Sequence, residues 1–342
     1  MDNITHTLVG AALGQAGLKR RTPLALTTLL IGANLPDVDG ITYWTGGALG
    51  FRRGWTHGVL ALLLLPLALT GLVLAGDRLL RRARRRRPTG TPEGLARGDA
   101  DVRAPGAPSG RRDDAGWGAP AVPRAILLLA FLSVLTHPLL DWCNTYGVRL
   151  LMPFSGRWFY GDTWFIMDPW VWLVLALGVW LSARRGARGR PAAQADRPAR
   201  WALVLVVAYG AFMLATGAAG RRSVSAARAA QGSPPADIMV APVFGNPFVR
   251  DVLVREGAGY RAGVLHLLPW RVELSGDVLP IGLDEPAARA AASTPAGREF
   301  LGWARYPFFR VRRMSAATIV TIADARYGAG SWARTTVVLP AP

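Results

Sequence analysis

Six apolar runs fill most of the first two thirds of the chain, at residues 4–18, 23–35, 56–76, 125–140, 169–183 and 201–219. A helix that crosses a bilayer needs about 20 predominantly apolar residues. Four of the runs are clearly shorter, which fits helices that are short or broken around a polar centre. After residue 220 the pattern changes. Short β-favouring runs at 238–243, 249–254, 264–268, 278–283, 317–322 and 335–339 are separated by Gly and Pro, and a helical stretch over 286–303 interrupts them. The pattern predicts a polytopic α-helical membrane protein of about six membrane helices over residues 1–220. A C-terminal exoplasmic α+β or β-rich domain follows over 221–342, long enough to bury a core of its own.

Composition requires this segregation. The chain of 342 residues is 51% hydrophobic yet carries 40 Lys plus Arg and a formal charge of +18, with a mean hydropathy of +0.23. A disordered basic protein would be poor in large apolar residues, whereas apolar spans joined by basic loops combine both properties. The connections 19–22, 77–124 and 184–200 hold 3, 12 and 6 basic residues, against Arg52, Arg53, Arg149 and Arg157 in the opposite connections. The positive-inside rule places the first group in the cytoplasm, and the N-terminus and everything after residue 220 outside. Net charge divides into +14 on the inner connections, −2 on the outer membrane face and +6 in the tail. Loop 77–124, with its arginine run at 84–87 and many Pro and Gly, is expected to be disordered. It reads as a solvated stop-transfer loop rather than a nucleic-acid site. One Cys excludes an intrachain disulfide. Asp2 ahead of the first run and Lys19, Arg20 and Arg21 after it reverse the polarity of a secretory signal peptide.

The small negative face holds the chemistry. Three of the four histidines follow a threonine at the end of an apolar run, as Thr5-His6, Thr56-His57 and Thr136-His137, and Asp2, Asp37, Asp39 and Asp141 accompany them. The arginine-based topology brings all these stretches to one leaflet without having used them. Ionisable groups at membrane depth are costly and point to function. His137 and Asp141 are spaced to share a helix face, although Pro138 disfavours helical backbone at His137 and leaves open that the helix starts after it. Asp37 and Asp39 can point the same way in turned backbone around Pro36. Three imidazoles and three carboxylates suit one or two divalent ions, zinc first and manganese or iron otherwise.

Other residues have two readings. Asp168, before Pro169, is a helix cap or a further site acid. Arg52 and Arg53 clamp an anionic group or snorkel to headgroups. Trp158, Phe159, Tyr160, Trp164, Phe165 and Trp170 form an interfacial belt or a lid. Cys143 and His266 read as structural.

The opening Met1-Asp2-Asn3-Ile4-Thr5-His6-Thr7, the step Leu35-Pro36-Asp37-Val38-Asp39, the step Arg53-Gly54-Trp55-Thr56-His57, the step Thr136-His137-Pro138-Leu139-Leu140-Asp141 and the segment 144–155 resemble the bacterial membrane-bound metal-dependent hydrolase family, which includes YdjM-like and YfhP-like inner-membrane proteins. The resemblance covers about residues 1–180. It implies His6, Asp37, Asp39, His57, His137 and Asp141 as metal ligands and a bacterial inner-membrane location. Many relatives carry Ser after the third motif's His, where this chain has Gly58. The expected activity is hydrolysis of an ester or phosphoester in a lipid or lipid-linked substrate, by metal-activated water, with Asp39 or Asp168 as base and Arg53 orienting the anionic group. A transporter or ion pathway built on the same cluster, and a non-enzymatic envelope protein with a structural metal, are the alternatives.

Overall fold

Asp2, in extended backbone, accepts the amides of Ile4 and Thr5 and so caps α1 (Asn3–Gln15). In the computed structural model, which describes residues 1–44, 51–85, 119–234, 236–328 and 332–341, each of the six apolar runs contains one helix. After Gly17, whose φ of 128° favours glycine, the chain turns back into α2 (Ala25–Asn34). Pro36 has no N–H to extend that ladder, and Leu35–Trp44 continues as a 3₁₀ segment. Then come α3 (Val59–Arg85), α4 (Pro123–Trp142), α5 (Pro169–Ala187) and α6 (Ala192–Ala230). Proline at the first position opens both α4 and α5.

Among the described residues, three helices are long and apolar enough to cross a membrane: α3, α4 and α6. Helices α1 and α2 have 13 and 10 residues, about 20 and 15 Å at 1.5 Å per residue. They form a short hairpin inside the bundle: α1 packs against α2, α5 and α6, α2 also against α4, and α4 against α3. Gly10 lets the hairpin close. A Cβ there would stand 2.7 Å from the Leu29 carbonyl oxygen, the close approach that small residues give membrane helices.

The described parts of the three basic connections meet at one end. Thr22 Oγ1 accepts the Val122 amide at 2.8 Å, Asp77 accepts Ala121 N at 3.1 Å, and Arg20 ion-pairs with Asp196. The expected disorder of 77–124 falls mostly on residues outside those described, and the described part is helical as far as Arg85.

The expected boundary at 220 lies inside α6, which runs 39 residues, about 58 Å. Its last turns bury Val224 against Val240, Val252, Val254 and Leu265, so the helix belongs to both halves. The C-terminal domain holds an antiparallel meander of β1 (Ile238–Val243), β2 (Asn246–Glu256), β3 (Gly259–Leu267) and β4 (Trp270–Pro280). Two helices, α7 (Pro286–Ala292) and α8 (Pro295–Trp303), lead to a second antiparallel sheet of β5 (Pro307–Arg313), β6 (Ala317–Asp324) and β7 (Arg334–Pro340). Strand β5 escapes the sequence pattern because three of its seven residues are arginine. Phe308 and Phe309 nonetheless bury into the domain.

The domain sits on the 143–168 connection. Tyr146 joins its aromatic core with Phe300 and Trp303, Trp158 Nε1 donates to Gly302 O at 2.7 Å, Arg305 pairs with Asp162 at 2.9 Å, and Arg326 donates to Thr145 O at 2.6 Å. Several aromatics read as an interfacial belt therefore line this seam. Trp164 is buried, while Trp170 remains exposed.

Replacing Gly10 by Ala is expected to destabilise the detergent-purified protein by about 1–3 kcal/mol, because the methyl meets rigid backbone. Gly71→Ala, with nothing within 4 Å of its Cβ position, should be neutral or stabilising by about 0.5–1 kcal/mol. Thermal melts of the two variants check the contrast.

Candidate metal centre

At the bundle end opposite the basic connections, four segments converge. Helix α4 runs straight through Pro138, so His137 is inside the helix and does not precede it, and the four-residue spacing to Asp141 holds. His137 Nε2 lies 3.6 Å from Asp141 Oδ2. The 3₁₀ segment brings Asp37, whose Oδ1 is 3.7 Å from His137 Nε2. A tight turn places His57: its amide bonds Gly54 O at 3.0 Å, and its Nε2 stands 3.2 Å from Asp141 Oδ2 and 3.1 Å from His137 Nε2. Asp37, His57, His137 and Asp141 each offer one ligand atom, all within 4.8 Å of one another. The last three are fully buried.

The backing partners fix which nitrogens face inward. The Ala33 carbonyl, 2.7 Å from His137 Nδ1, can only accept, so Nδ1 carries a proton and Nε2 is the nitrogen left to ligate. His57 Nδ1 meets Thr56 Oγ1 at 2.9 Å, and because that hydroxyl donates to Asp39 Oδ2 at 3.0 Å it accepts from Nδ1, which sets the same tautomer. Two lone pairs and carboxylate oxygens then point into one small space. Such a set is a donor set for a cation. Asp141 Oδ2 is met from behind by Arg53 Nε at 3.1 Å. The residues present thus fit a divalent ion with two nitrogen and two oxygen ligands.

Not all six expected ligands occupy equivalent places. Asp39 stands behind His57, accepting Arg53 N at 2.8 Å and Thr56 Oγ1 at 3.0 Å. It backs His57 through the Thr56 hydroxyl and is not a member of the four. His6 stacks on His137 with ring centroids 3.7 Å apart at 13°. It faces Asp141 Oδ1 at 3.4 Å, and neither of its ring nitrogens makes a hydrogen bond. It borders the set.

Two further expectations are corrected. Asp168 caps α5: Oδ1 accepts Trp170 N and Val171 N at 3.0 and 3.1 Å, and Oδ2 accepts Tyr209 OH at 3.2 Å. Oδ1 is committed to the cap and Oδ2 to the Tyr209 hydroxyl, so the structure favours the cap reading. Arg53 is buried rather than presented to a ligand. Its Nε meets Asp141 Oδ2 at 3.1 Å, and its other nitrogens reach Asn144 Oδ1 and Met1 O, both at 3.1 Å. Its φ of 49° is strained for a side-chain-bearing residue. Asp39 on its amide and Arg149 N on its carbonyl at 2.8 Å hold it there. Arg52, beside it, reaches Asp37 Oδ1 at 3.2 Å from a less buried position.

Asn144 was not singled out from the sequence. Its Oδ1 gathers Tyr146 N at 2.8 Å, Gly147 N at 3.3 Å and the Arg53 guanidinium. An Asn three residues before a Gly, directly after a helix, is a turn signal that marks it. The three Thr-His pairs also separate in role. Thr5 Oγ1 donates to Asp2 at 2.6 Å, Thr56 to Asp39 at 3.0 Å, and Thr136 to the Ser133 carbonyl at 2.7 Å. Gly58 has a local reason as well: a Cβ there would stand 2.3 Å from the Met152 carbonyl oxygen, so this backbone excludes serine.

No curated protein and no solved structure matches the chain. The family model described as YdjM inner membrane protein matches residues 1–220, which include all the helices that build this centre. On that match the chain belongs to the YdjM inner membrane protein family.

Proposed function

We propose that the chain is a membrane-embedded metal-dependent hydrolase that cleaves an ester or phosphoester in a lipid or lipid-linked substrate. The convergence of four ligand atoms from three separate stretches of chain, all within 4.8 Å of one another, carries this reading. Asp37, His57, His137 and Asp141 hold the ion, zinc by preference for this nitrogen and oxygen set, or manganese or iron. A bound divalent ion supplies Lewis acidity and lowers the pKa of a water at the site. Asp39 orients His57, and Arg53 positions Asp141. His6, buried with two free ring nitrogens, receives or returns the proton, or joins a second ion. Arg52, at the less buried edge beside Asp37, orients the anionic group of the substrate.

All six apolar runs are assigned to the inner membrane. The basic connections lie in the cytoplasm, and the site and the C-terminal domain lie outside. A second reading has one observation in its favour: His57, His137 and Asp141 have no exposed surface, as in closed structural metal sites. In that reading the ion staples the bundle and no water is activated.

Elemental analysis of the full-length protein purified without chelator is expected to find at least one divalent ion per chain. His57→Ala and Asp141→Ala should strip it, and Asp39→Asn should weaken affinity by about 10- to 100-fold. A metal-free wild type, or full metal retention in both alanine variants, overturns the assignment. A panel of phosphoesters and lipid esters then separates the readings. Turnover lost with the metal while the thermal midpoint holds supports the hydrolase, and a collapsed midpoint without turnover supports the staple.

Topology is checked by periplasm-active reporters, expected to be silent when fused after Arg87 and active after Gln231.

A further inference from the structure

The first sheet of the C-terminal domain has one apolar end and one charged end. Its four strands are antiparallel and follow one another in order, so the β1–β2 and β3–β4 turns share one end and the β2–β3 turn lies at the other. The registers Val243↔Asn246, Val249↔His266 and Leu267↔Trp270 fix this alignment. The two turns at the shared end are about 10 Å apart, two strand spacings.

Turns in water favour small polar residues. These two instead carry Phe244, Phe248, Leu268 and Trp270, all exposed, with Leu268 at 75%. Residues 242–249 and 262–270 contain no Asp, Glu, Lys or Arg. The opposite end is charged: Arg255, Glu256 and Arg261 flank the β2–β3 turn, and Asp277 lies near the end of β4. Single exposed apolar residues are ordinary, but several gathered at one end form a patch that marks an interaction surface.

Hydrogen bonds set the level of that patch against the helices. Trp170 Nε1 donates to Gly245 O at 3.1 Å, which ties the first turn to the opening turn of α5. Arg250, two residues beyond Phe248 on β2, bonds Met213 O and Thr216 Oγ1 on α6. Phe248 therefore lies about 7 Å nearer the bundle than Arg250. On α6, Tyr209 meets the Asp168 cap of α5, and Phe212 and Leu214 beyond it are still exposed. The apolar exterior of the bundle thus continues past the level of both turns. Exposed aromatics at that depth fit the membrane–water interface.

Backbone chemistry agrees. A polar group left bare in lipid is costly. Pro247 and Pro269 bring no N–H to the two turns. Asn246 Oδ1 accepts Phe248 N at 3.0 Å, and Trp170 covers Gly245 O.

We propose that the two hairpin tips of the first sheet, carrying Phe244, Phe248, Leu268 and Trp270, dip into the outer leaflet, so that a lipid surface is the partner of this end of the C-terminal domain. Lipid already has to cover the exposed face of α6, and the patch is continuous in level with that face. The inference rests on α6 crossing the membrane with the domain outside, and not on the hydrolase.

The test uses full-length protein with Cys143→Ala as background, reconstituted at one chain per lipid nanodisc. Single cysteines are introduced as Phe244→Cys and Leu268→Cys at the tips, Ala258→Cys and Asp277→Cys at the far end, and Leu205→Cys on the exposed face of α6. Each carries a polarity-sensitive fluorophore and is challenged with nitroxide-bearing lipid and with aqueous iodide. Both tip labels and the Leu205 label are expected to lose emission to the lipid quencher and to resist iodide. The Ala258 and Asp277 labels should do the reverse. Tip labels open to iodide while the Leu205 label is quenched from lipid overturn the proposal and leave the topology standing. Tip labels that resist both quenchers show that protein covers the patch, which also overturns it. A Leu205 label open to iodide removes the topology and the proposal together. Turnover and metal content do not enter the readout, so failure of the hydrolase reading leaves this result unchanged.

Discussion

Removing a carboxylate from water costs several kcal/mol unless partners replace its hydration, and Asp141 is fully buried. Its two oxygens are met by the Met1 amine, His6, Arg53, His57 and His137. Those groups come from the start of the chain, α1, the turn before α3, and α4 itself. One buried charge therefore dictates where four stretches must lie. It explains why α1 and α2 fold back as a short hairpin and why Gly10 must admit the Leu29 carbonyl. Arg53, which meets that charge, is kept in its left-handed backbone by Asp39 on its amide and Arg149 on its carbonyl. Loss of any one partner leaves the remaining groups facing an uncompensated charge at low dielectric.

The sequence made the membership of this cluster legible because aspartate and histidine are rare at the ends of apolar runs, and because arginine counts place those ends together. Division of labour within the cluster was not legible. Asp37 and Asp39 are two residues apart, and only the 3₁₀ geometry of Leu35–Trp44 turns one toward His137 and the other behind His57. Arg53 reads as a ligand clamp until its burial is known. Asp168 was evenly balanced in sequence, and its cap is decided by the amides of Trp170 and Val171. Strand β5 was hidden because Arg310, Arg312 and Arg313 crowd its second half and lower the apolar signal, while the adjacent Phe308 and Phe309 still bury.

The C-terminal domain is coupled to the cluster through a short aromatic relay. The Arg53 guanidinium lies 4.6 Å from the Tyr146 ring centroid, and Tyr146 in turn sits 5.0 Å from Trp303. Arg326 reinforces the same connection through Thr145 O. Burial alone would lower its pKa, but Tyr327 and Asp324 hold the guanidinium above its ordinary value. It stays charged at any physiological pH. Arg53, which steadies Asp141, is thus wedged between the polar cluster and the core of a domain whose Trp303 lies 250 residues later in the chain.

Helix α6 gives this arrangement a phase. It is one uninterrupted rod from Asp196, paired with Arg20 at one end of the bundle, to Val224 and Arg228 beneath the first sheet. Rods of this kind transmit rotation as faithfully as length. A single inserted residue between Ala202 and Met213 would turn everything beyond it by roughly 100° and lift it by about 1.5 Å, whereas seven would nearly restore the heading at a lift of about 10 Å. The azimuth of the domain over the buried cluster is therefore counted out in residues of α6, and sequence length there works as an angular setting.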